Sequence, residues 1–390
     1  MTGTVLLIHR GNDGMRGTEM CLIQSARAFA ARGHRVVICR NYPAMDAQLA
    51  AIQPTPELFP MDFPELKLDG KETTLPLISY MRALGRLDRL VRRLRPLLIY
   101  CSGGLPCQIA VPVARMRRIP LMCHFHHPAI KRDYYFWLVK GADKVIFPSQ
   151  YTRTHSLQKA RVDGEVIYNG IDVERFQPAT ARDPSWRQRL GIPANAIVIG
   201  QVAALASQKR PELLLKSFAT LAGQSPLPLH LCLVGKGQLE QSLRALVREL
   251  QLDTRITITG PVPDVLPYYQ HVFDINALVS REEGLGIAAI EGSACALPIV
   301  VTDCTGLSET VVPGETGLSF GLNDTGALER QLLELAADQG LRERMGAQGR
   351  ALARRAFSAA GYNDGIVAAA DALMRSHGTA TMEHSCREQR

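Results

Sequence analysis

The sequence predicts an α/β protein with two doubly wound parallel sheets, one in each half of the chain. Short β-branched runs alternate with longer segments of helical periodicity through most of the 390 residues. The strand-like runs are apolar throughout, which is typical of parallel strands covered by helices on both faces. After residue 168 a polar, Pro-containing stretch interrupts the alternation, which starts again at residue 196. These three observations favour two domains of similar architecture.

The elements of the first half follow a regular order. An apolar strand at residues 5–8 leads into a Gly-rich loop at 11–17 and a helix at 18–32. Further strands are predicted at residues 36–39, 97–100, 121–123 and 144–147. Residues 41–76 are rich in Pro and irregular, and we interpret them as an insertion or a substrate-side loop.

The second half repeats this order, with strands predicted at 196–202, 229–234, 256–259, 275–279 and 299–302 and helices at 211–222, 239–250, 286–296 and 325–337. We place the first domain at residues 1–168, a linker at 169–195 and the second domain at 196–358. A helix at about 359–374 is expected to pack back on the first domain, and the polar residues 375–390 are expected to be disordered. Open α/β sheets bind ligands beyond the carboxyl ends of their strands, so two sheets facing across a cleft would form a two-substrate site.

Composition narrows the class of protein. Apolar residues make up 46% and charged residues 21%, which is typical of a globular chain and not of a disordered one. The 45 Lys and Arg residues exceed the 37 Asp and Glu residues, which favours anionic partners. The nine cysteines form no Cys-x-x-Cys pair and indicate buried thiols in a reducing compartment. Because no run reaches the ~20 apolar residues of a spanning helix and the first apolar run is too short for a signal peptide, we expect a cytosolic protein.

The densest chemical pattern is Ser-Arg-Glu-Glu-Gly-Leu-Gly-Ile-Ala-Ala-Ile-Glu at residues 280–291. A predicted strand ends there, two glycines turn the chain, and a helix begins whose free N–H groups attract a phosphate. Glu283 and Glu291 are separated by roughly 9–12 Å along the helix axis, from the ~1.5 Å rise per residue. One carboxylate could therefore hold the hydroxyl groups of a sugar while the other holds those of a nucleotide ribose.

The same segment allows two other interpretations. Gly284, Gly286 and Ala289 fit G-x-G-x-x-A, and Asp303 closes the next strand, as in a dinucleotide fingerprint for NAD. The late position of this unit in its sheet and an ionised Glu291 on the helix oppose that interpretation. An ordinary helix with a solvated glutamate is the other alternative.

Two further clusters have both a functional and a structural interpretation. Histidines at positions 124, 126 and 127 follow a predicted strand. They could bind a sugar hydroxyl or accept a proton, or they could have the structural role of capping a loop. A metal site is disfavoured because no Asp, Glu or Cys lies beside them at a spacing that suits a metal ligand. Residues 82–95 carry six arginines among leucines. A basic amphipathic helix of this kind can lie on an anionic membrane or form a solvated face over a leucine core.

Taken together, the motifs resemble those of the retaining GT-B glycosyltransferases of family 4, over most of residues 3–360. The segment from Ser280 resembles the Glu-x7-Glu signature of that family. Lys209 lies where the family has its diphosphate lysine. Matching segments also occur in the first loop (Arg-Gly-Thr-Glu, 16–19), the linker (Asn-Gly-Ile-Asp-Val-Glu-Arg-Phe, 169–176), the next βα turn (235–237) and the closing loops (306–309 and 313–318).

The resemblance implies a GT-B architecture, in which two Rossmann-like domains face each other across a cleft and the first domain lies on the acceptor side. It implies transfer of a hexose from a nucleotide-diphosphate sugar to a glycan or lipid-linked acceptor, in polysaccharide, lipopolysaccharide or glycolipid biosynthesis. The partners would include an anionic membrane surface at the inner face but no nucleic acid. The implied catalytic residues are His126, Glu283 and Lys209, with His124 aligning second best. The implied donor-binding residues are Gly17, Lys209, Gly284, Leu285, Gly286, Ile287 and Glu291.

Charge compensation is expected from Lys and helix dipoles, with no metal and no cofactor, because the chain contains no Asp-x-Asp pair. The sequence departs from the family pattern at Ala204, where an Arg is usual, and at Arg210, where a Gly is usual. The missing cation could be supplied by Arg210, Arg281 or Arg16. A protein that binds sugar nucleotides without turnover, and a nicotinamide-dependent oxidoreductase, are the alternative functions.

Overall fold

The structure is a computed structural model that describes residues 2–11, 17–69, 72–74, 76–126, 135–157 and 164–388. The chain forms two compact units. The first contains residues 1–170 together with 360–390, and the second contains residues 171–359. Most of the stretch expected as a linker therefore belongs to the second unit.

The first unit contains a seven-stranded parallel sheet and a separate antiparallel pair. The strands are β1 Thr4–His9, β2 Arg35–Arg40, β3 Glu57–Pro60, β4 Lys67–Asp69, β5 Glu72–Thr74, β6 Leu98–Ser102, β7 Leu121–His124, β8 Lys144–Phe147 and β9 Gly164–Val166. The helices are α1 Gly17–Ala31, α2 Asp46–Ala50, α3 Leu77–Leu94, α4 Cys107–Arg117 and α5 Gln150–Leu157. The sheet order is β3-β2-β1-β6-β7-β8-β9, and β4 pairs with β5.

Alternate residues of β1 supply the cores on the two faces of this sheet. Leu6 and Ile8 belong to one buried cluster, and Val5 and Leu7 belong to the other. All four side chains are completely buried. A strand buried on both faces has no polar alternation, which is why the continuous apolar run predicted it correctly.

The interpretation of residues 41–76 as irregular is wrong in part. This region contains β3, which pairs in parallel with β2 at the edge of the sheet. The strand is short and only half-buried, and it ends at Pro60. Pro is tolerated on an edge strand because no neighbour needs its missing N–H. The sequence therefore carries neither the apolar run nor the clean alternation that would have identified a strand.

The second unit contains a six-stranded parallel sheet. The strands are β10 Ile197–Val202, β11 Leu229–Val234, β12 Ile256–Ile258, β13 Ile275–Leu278, β14 Ile299–Thr302 and β15 Gly317–Phe320. The helices are α6 Ser185–Arg189, α7 Pro211–Gln224, α8 Glu240–Glu249, α9 Ile287–Ala294, α10 Thr325–Ala337 and α11 Gln339–Ala356. The order β12-β11-β10-β13-β14-β15 reverses between β10 and β13, and ligands of open sheets bind at such a switch point. Two parallel-sheet domains are thus confirmed.

The last helix, α12 Ala359–Glu388, returns to the first unit. Tyr362, Ile366 and Ala370 are buried in the same cluster as Phe29 of α1. The expectation of disorder over residues 375–390 is wrong as far as Glu388, because α12 continues through that segment. The segment contains no Pro, so each added residue can extend the existing ladder of backbone hydrogen bonds.

Seven of the cysteines in the described part of the chain are buried, whereas Cys304 is partly exposed; all eight are free thiols. Among the described helices, none combines the length and the apolar character needed to cross a membrane.

Candidate functional site

The second unit places the Glu-x7-Glu segment at the switch point of its sheet. The chain leaves β13, turns through residues 279–286 and enters α9 at Ile287. Gly286 precedes the helix with φ +95°, and a Cβ there would lie 2.5 Å from Cδ1 of Leu307. Both the left-handed backbone and the close contact require glycine at this position. Gly284, Leu285 and Gly286 are buried, whereas Ile287 and Ala288 are partly exposed at the start of the helix.

Glu283 is held on both sides of its backbone by the loop that follows β14. Its N–H donates to Oγ1 of Thr305 at 2.9 Å, and its carbonyl accepts from the N–H of Gly306 at 3.2 Å. Two side chains donate to the same carboxylate oxygen, Oε1: the hydroxyl of Ser280 at 2.8 Å and the ammonium of Lys209 at 2.5 Å. The carboxylate is therefore fixed in place next to a cation.

Lys209 and Glu283 are brought together because β10 and β13 are neighbouring strands. Lys209 lies just before the helix predicted at 211–222. Lys209 ends a short 3-10 turn, Ser207–Lys209, and α7 begins only at Pro211. Arg210, between them, has φ +51°, and this left-handed residue redirects the chain before the helix starts. About a quarter of the Lys209 side chain is exposed, so a ligand can reach its ammonium.

Two arginines, Arg210 and Arg281, lie close to Lys209, whereas Ala204 stands where the resemblance implies an Arg. Ala204 itself is exposed in the loop after β10. Arg281 donates its backbone N–H to the carbonyl of Gln208 at 2.7 Å, which fixes it beside the lysine turn. The guanidinium of Arg210 donates to the carbonyl of Leu322. Burial, and then the charge of Arg281, lower the pKa of Arg210. Two guanidinium groups thus repel each other beside Lys209.

Glu291 lies in α9 and has a different partner. The hydroxyl of Tyr269 donates to its Oε2 at 3.1 Å. Burial raises the pKa of Glu291 to about 7, although the bond from Tyr269 and the charge of Arg175 oppose this shift. Burial therefore favours the protonated form of Glu291, in contrast to the sequence interpretation of Glu291 as an ionised residue.

In the first unit, three neighbouring strands each have a polar last residue, at the edge of the sheet formed by the carboxyl ends of its strands. Register pairs His9 of β1 with Ser102 of β6, and Ser102 with His124 of β7. The predicted His126 follows β7, is buried and lies 2.9 Å from the hydroxyl of Ser102 through Nε2. The edge therefore carries a cluster of hydroxyl and imidazole groups, as expected of a ligand-binding edge.

His124 has a structural role. It is completely buried, and its Nδ1 lies 2.7 Å from the hydroxyl of Tyr100. That hydroxyl also contacts Ser25, which in turn contacts Tyr362 of α12 at 2.7 Å. Burial lowers the pKa of His124 to about 3, so the ring is neutral at physiological pH. His127 lies outside the described residues.

Sequence reasoning missed the pair of His9 and Glu19, which lies at the same edge. His9 Nε2 is 3.2 Å from Glu19 Oε1, and Thr18 donates to Oε2 at 2.8 Å. Burial opposes ionisation of Glu19, but the hydrogen bonds from His9 and Thr18 outweigh it and lower its pKa to about 2. A Cβ at Gly11 would lie within 2.9 Å of both side chains. A polar residue closing an apolar strand was the available signal for His9.

Gly17, a predicted donor-binding residue, is the exposed first residue of α1. Arg16 lies outside the described residues. No group of three or more His, Cys, Asp or Glu side chains that could hold a metal ion occurs within the described ranges.

Comparison with known families gives two matches along the chain. Residues 15–175 match the family described as Glycosyltransferase Family 4. Residues 182–352 match the family described as Glycosyl transferases group 1. One match lies almost entirely in each compact unit, and the second contains Lys209, Glu283 and Glu291.

Several relatives act on inositol-containing acceptors according to their names. The chain is 27% identical over 283 residues to a GDP-mannose-dependent α-(1-6)-phosphatidylinositol monomannoside mannosyltransferase of Mycolicibacterium smegmatis, covering 68% of this chain and 74% of that protein. It is 32% identical over 219 residues to a GDP-mannose-dependent monoacylated α-(1-6)-phosphatidylinositol monomannoside mannosyltransferase of Corynebacterium glutamicum, covering 54% and 57%. It is 33% identical over 189 residues to a D-inositol 3-phosphate glycosyltransferase of Corynebacterium urealyticum, covering 46% and 44%. The chain thus spans about half the length of the last two.

Solved structures share the fold. A complex of Anabaena Alr3699/HepE with UDP superimposes with a TM-score of 0.81 at 20% identity, covering 95% of this chain and 100% of that one. A glycosyltransferase of Rickettsia africae superimposes with a TM-score of 0.83 at 18% identity, covering 96% and 99%. At these identities the similarity establishes the fold alone.

Proposed function

We propose that this chain, a glycosyltransferase with the GT-B fold, transfers a hexose from a nucleotide-diphosphate sugar to a glycan or lipid-linked acceptor and retains the anomeric configuration. The observation that carries the proposal is the contact of Lys209 with Glu283 directly before the N-terminus of α9, which also bears Glu291. Along this segment Glu283, the helix start and Glu291 follow the order of the parts of a nucleotide sugar, which are sugar, diphosphate and ribose, and Lys209 adds a cation beside Glu283.

Lys209 and the N–H groups of residues 284–287 would bind the diphosphate. As the bond between the anomeric carbon and the phosphate oxygen breaks, negative charge develops on the leaving nucleoside diphosphate. A preorganised cation binds that charge more strongly in the transition state than in the ground state, which lowers the barrier. The acceptor hydroxyl forms the new bond to the anomeric carbon and transfers its proton to the departing phosphate oxygen. Because Lys209 supplies positive charge, we propose that the transfer needs no metal ion.

The two carboxylates, Glu283 and Glu291, would bind different parts of the donor. Both donors to Glu283 use Oε1, so Oε2 is the oxygen for sugar hydroxyl groups. Glu291 would accept the ribose hydroxyl groups. In the first unit, the cluster of His126 with Ser102, and His9 with Glu19, would contact hydroxyl groups of the acceptor. The structure of Anabaena Alr3699/HepE with UDP-glucose supports a nucleotide sugar as donor, and the names of the relatives support a glycolipid acceptor.

A membrane-embedded acceptor would be reached through the exposed face of α3. Leu77, Ile78 and Met81 are more than half exposed in its first turn. The exposed arginines 82, 86, 89 and 93 continue along the helix. Apolar side chains that insert at the headgroup level, followed by arginines that pair with anionic lipids, make a surface suited to a peripheral protein on the cytoplasmic face of a membrane.

Ala204 favours one alternative, a protein that binds the donor without turning it over. A thermal-shift panel of UDP-glucose, GDP-mannose, other nucleotide sugars and NADH identifies the ligand, because a ligand at about 100 times its Kd stabilises the protein by about 2.7 kcal/mol. Transfer from the stabilising sugar nucleotide is then measured in excess EDTA, and the anomeric configuration of the product is read by NMR. Stabilisation only by NADH, or activity that EDTA abolishes and Mg²⁺ restores, would contradict the proposal or its metal-free form.

A further inference from the structure

Glu291 contacts a tyrosine that the sequence did not single out. Tyr269 lies in the π-helical turn Tyr268–Val272, and only 1% of it is exposed. Its hydroxyl is 3.1 Å from Oε2 of Glu291 and 3.2 Å from the carbonyl oxygen of Ala288, both in α9. Short π-helical turns occur frequently at functional sites.

The hydroxyl of Tyr269 has two acceptors but only one hydrogen. When Glu291 is ionised, the hydroxyl donates to the carboxylate, and the carbonyl of Ala288 still accepts from Nδ2 of Asn276 at 3.0 Å. When Glu291 is protonated, its carboxyl group donates to the oxygen of Tyr269, which then donates to Ala288. The same arrangement of heavy atoms thus satisfies both protonation states of Glu291.

The ring of Tyr269 is fixed by aromatic contacts on two sides. Its centroid lies 5.7 Å from that of Phe273 and 6.2 Å from that of Phe176, both in edge-to-face geometry. These contacts and the burial of the ring restrict the position of the hydroxyl. This is the arrangement of a fixed support for Glu291.

The ionisable groups around Glu291 come from several elements. Arg175 and Asp264, which form an ion pair at 2.7 Å, act on it from two loops in opposite directions. Cys295 lies beyond it in the chain, and Arg350 of α11 donates to the carbonyl of Ala294. Burial has the largest effect on the pKa of Glu291 and raises it to about 7, although the hydrogen bond from Tyr269 and the charge of Arg175 lower it.

We propose that Tyr269 is a positioning residue of the donor site: its hydroxyl holds the carboxyl group of Glu291 in place to accept the ribose hydroxyl groups of a nucleotide. This inference rests on the proposed function, in which Glu291 binds the ribose. Ribose hydroxyl groups donate hydrogen bonds and so favour the carboxylate. Nucleotide binding then releases the proton of Glu291 to the solvent, and the bond from Tyr269 assists by favouring the same ionised form.

The test is the Kd of UDP and of GDP measured by calorimetry between about pH 5 and about pH 9. In the wild type, the Kd of the nucleotide that binds should rise by about tenfold in total as the pH falls through the pKa of Glu291. Tyr269→Phe removes only the hydroxyl. This variant should bind the nucleotide about three- to tenfold more weakly than the wild type at neutral pH. Its profile of Kd against pH should be shifted to higher pH, so that most of the lost affinity is regained near about pH 9.

Two variants serve as controls. Tyr268→Phe removes a hydroxyl from the same turn, where the ring packs on Trp186, and should leave the profile unchanged. Glu291→Gln cannot ionise, so its profile should keep only the titration of the terminal phosphate of the nucleotide, near about pH 6. A Tyr269→Phe profile identical to the wild type, or a loss by the same factor at every pH, would overturn the inference while leaving the donor site intact. If the wild type binds neither nucleotide, the proposed function fails and the inference fails with it.

Discussion

Lys209 and Glu283 form an ion pair in the second unit, with Nζ 2.5 Å from Oε1. Both side chains are largely sequestered, with exposed fractions of 25% and 11%. A phosphate that binds Lys209 must therefore compete with Glu283 for the ammonium. In the proposed function, the phosphate bound by Lys209 and the sugar bound by Oε2 of Glu283 would therefore lie on either side of this ion pair.

Substitutions of Glu283 and Glu291 should have different effects on turnover and on nucleotide affinity. Glu283→Gln removes the charge that Lys209 faces, so we expect turnover to fall by about 10²-fold through misalignment of the sugar, while the Kd of the nucleoside diphosphate stays constant or tightens. Glu291→Gln should instead weaken that Kd by about tenfold above neutral pH and change turnover less. Glu282→Gln, at an exposed neighbouring position, is the matched control. Equal and small effects of the first two variants would instead favour the interpretation of the segment as an ordinary helix with a solvated glutamate.

Arg281, which lies beside the Lys209 turn, should supply the cation that the resemblance implies at the position of Ala204. Arg281→Gln should weaken binding of the nucleoside diphosphate by about tenfold or more, because a charge-assisted hydrogen bond contributes about 1.5–3 kcal/mol. Ala204→Arg should preserve or raise turnover and restore part of the loss in the double variant. Lys216→Gln, which removes an exposed cation paired with Glu212, controls for net charge. An Arg281→Gln variant with unchanged affinity would exclude this residue as a phosphate ligand.

The exposed face of α3 should bind anionic vesicles. Replacing Arg82, Arg86 and Arg89 with Gln should reduce co-sedimentation by about 10²-fold, at roughly 1 kcal/mol per arginine, and salt should weaken wild-type binding. Replacing Leu77, Ile78 and Met81 with Ser should reduce it at all salt concentrations. The control is the triple Gln variant of the exposed arginines of α11, 344, 354 and 355. Equal losses from the α3 and α11 arginine variants would show a nonspecific charge effect.

His124 should make the free energy of unfolding depend on pH. The unfolded chain binds a proton as the pH falls through the ordinary value of 6.5, but the folded chain does so only near about 3. The stability contributed by neutral His124 is therefore complete above pH 6.5 and lost as the pH falls toward 3, at about 1.4 kcal/mol per pH unit. In His124→Gln, the free energy of unfolding measured with urea should fall less steeply with decreasing pH than in the wild type. The difference in slope should correspond to one bound proton. His155→Gln, at an exposed position in α5, should keep the wild-type slope; equal slopes for all three proteins would contradict the burial argument.

The sequence predicted the central strands because they are buried on both faces. The predicted limits of β8, β11 and β14 match the structure residue for residue, and all three are apolar runs inside their sheets. The edge strands β3, β9 and β15 were missed because their exposed sides break the apolar run. The resemblance assigned part of β15, from Gly317, to a closing loop.

At the donor site, the sequence identified Lys209, Glu283 and Glu291 individually, but not their partners. Contact between residues 209 and 283 depends on which strands are neighbours, and linear spacing does not contain that information. The protonation of Glu291 depends on burial that comes from Tyr269 and the surrounding core. Single buried polar residues such as His9 and Tyr269 interrupt an apolar pattern without a motif of their own, so only the folded chain shows what they contact.

The most direct test of the account is the initial rate at which nucleoside diphosphate is released from the stabilising nucleotide sugar, compared between wild type and Lys209→Ala. Removing one preorganised electrostatic donor typically lowers turnover by about 10²–10³-fold. We therefore predict that Lys209→Ala is nearly inactive, while its melting temperature without ligand and the activity of the Lys216→Ala control match the wild type. Wild-type turnover in a folded Lys209→Ala variant would contradict the phosphate site and, with it, the placement of the donor in the second unit.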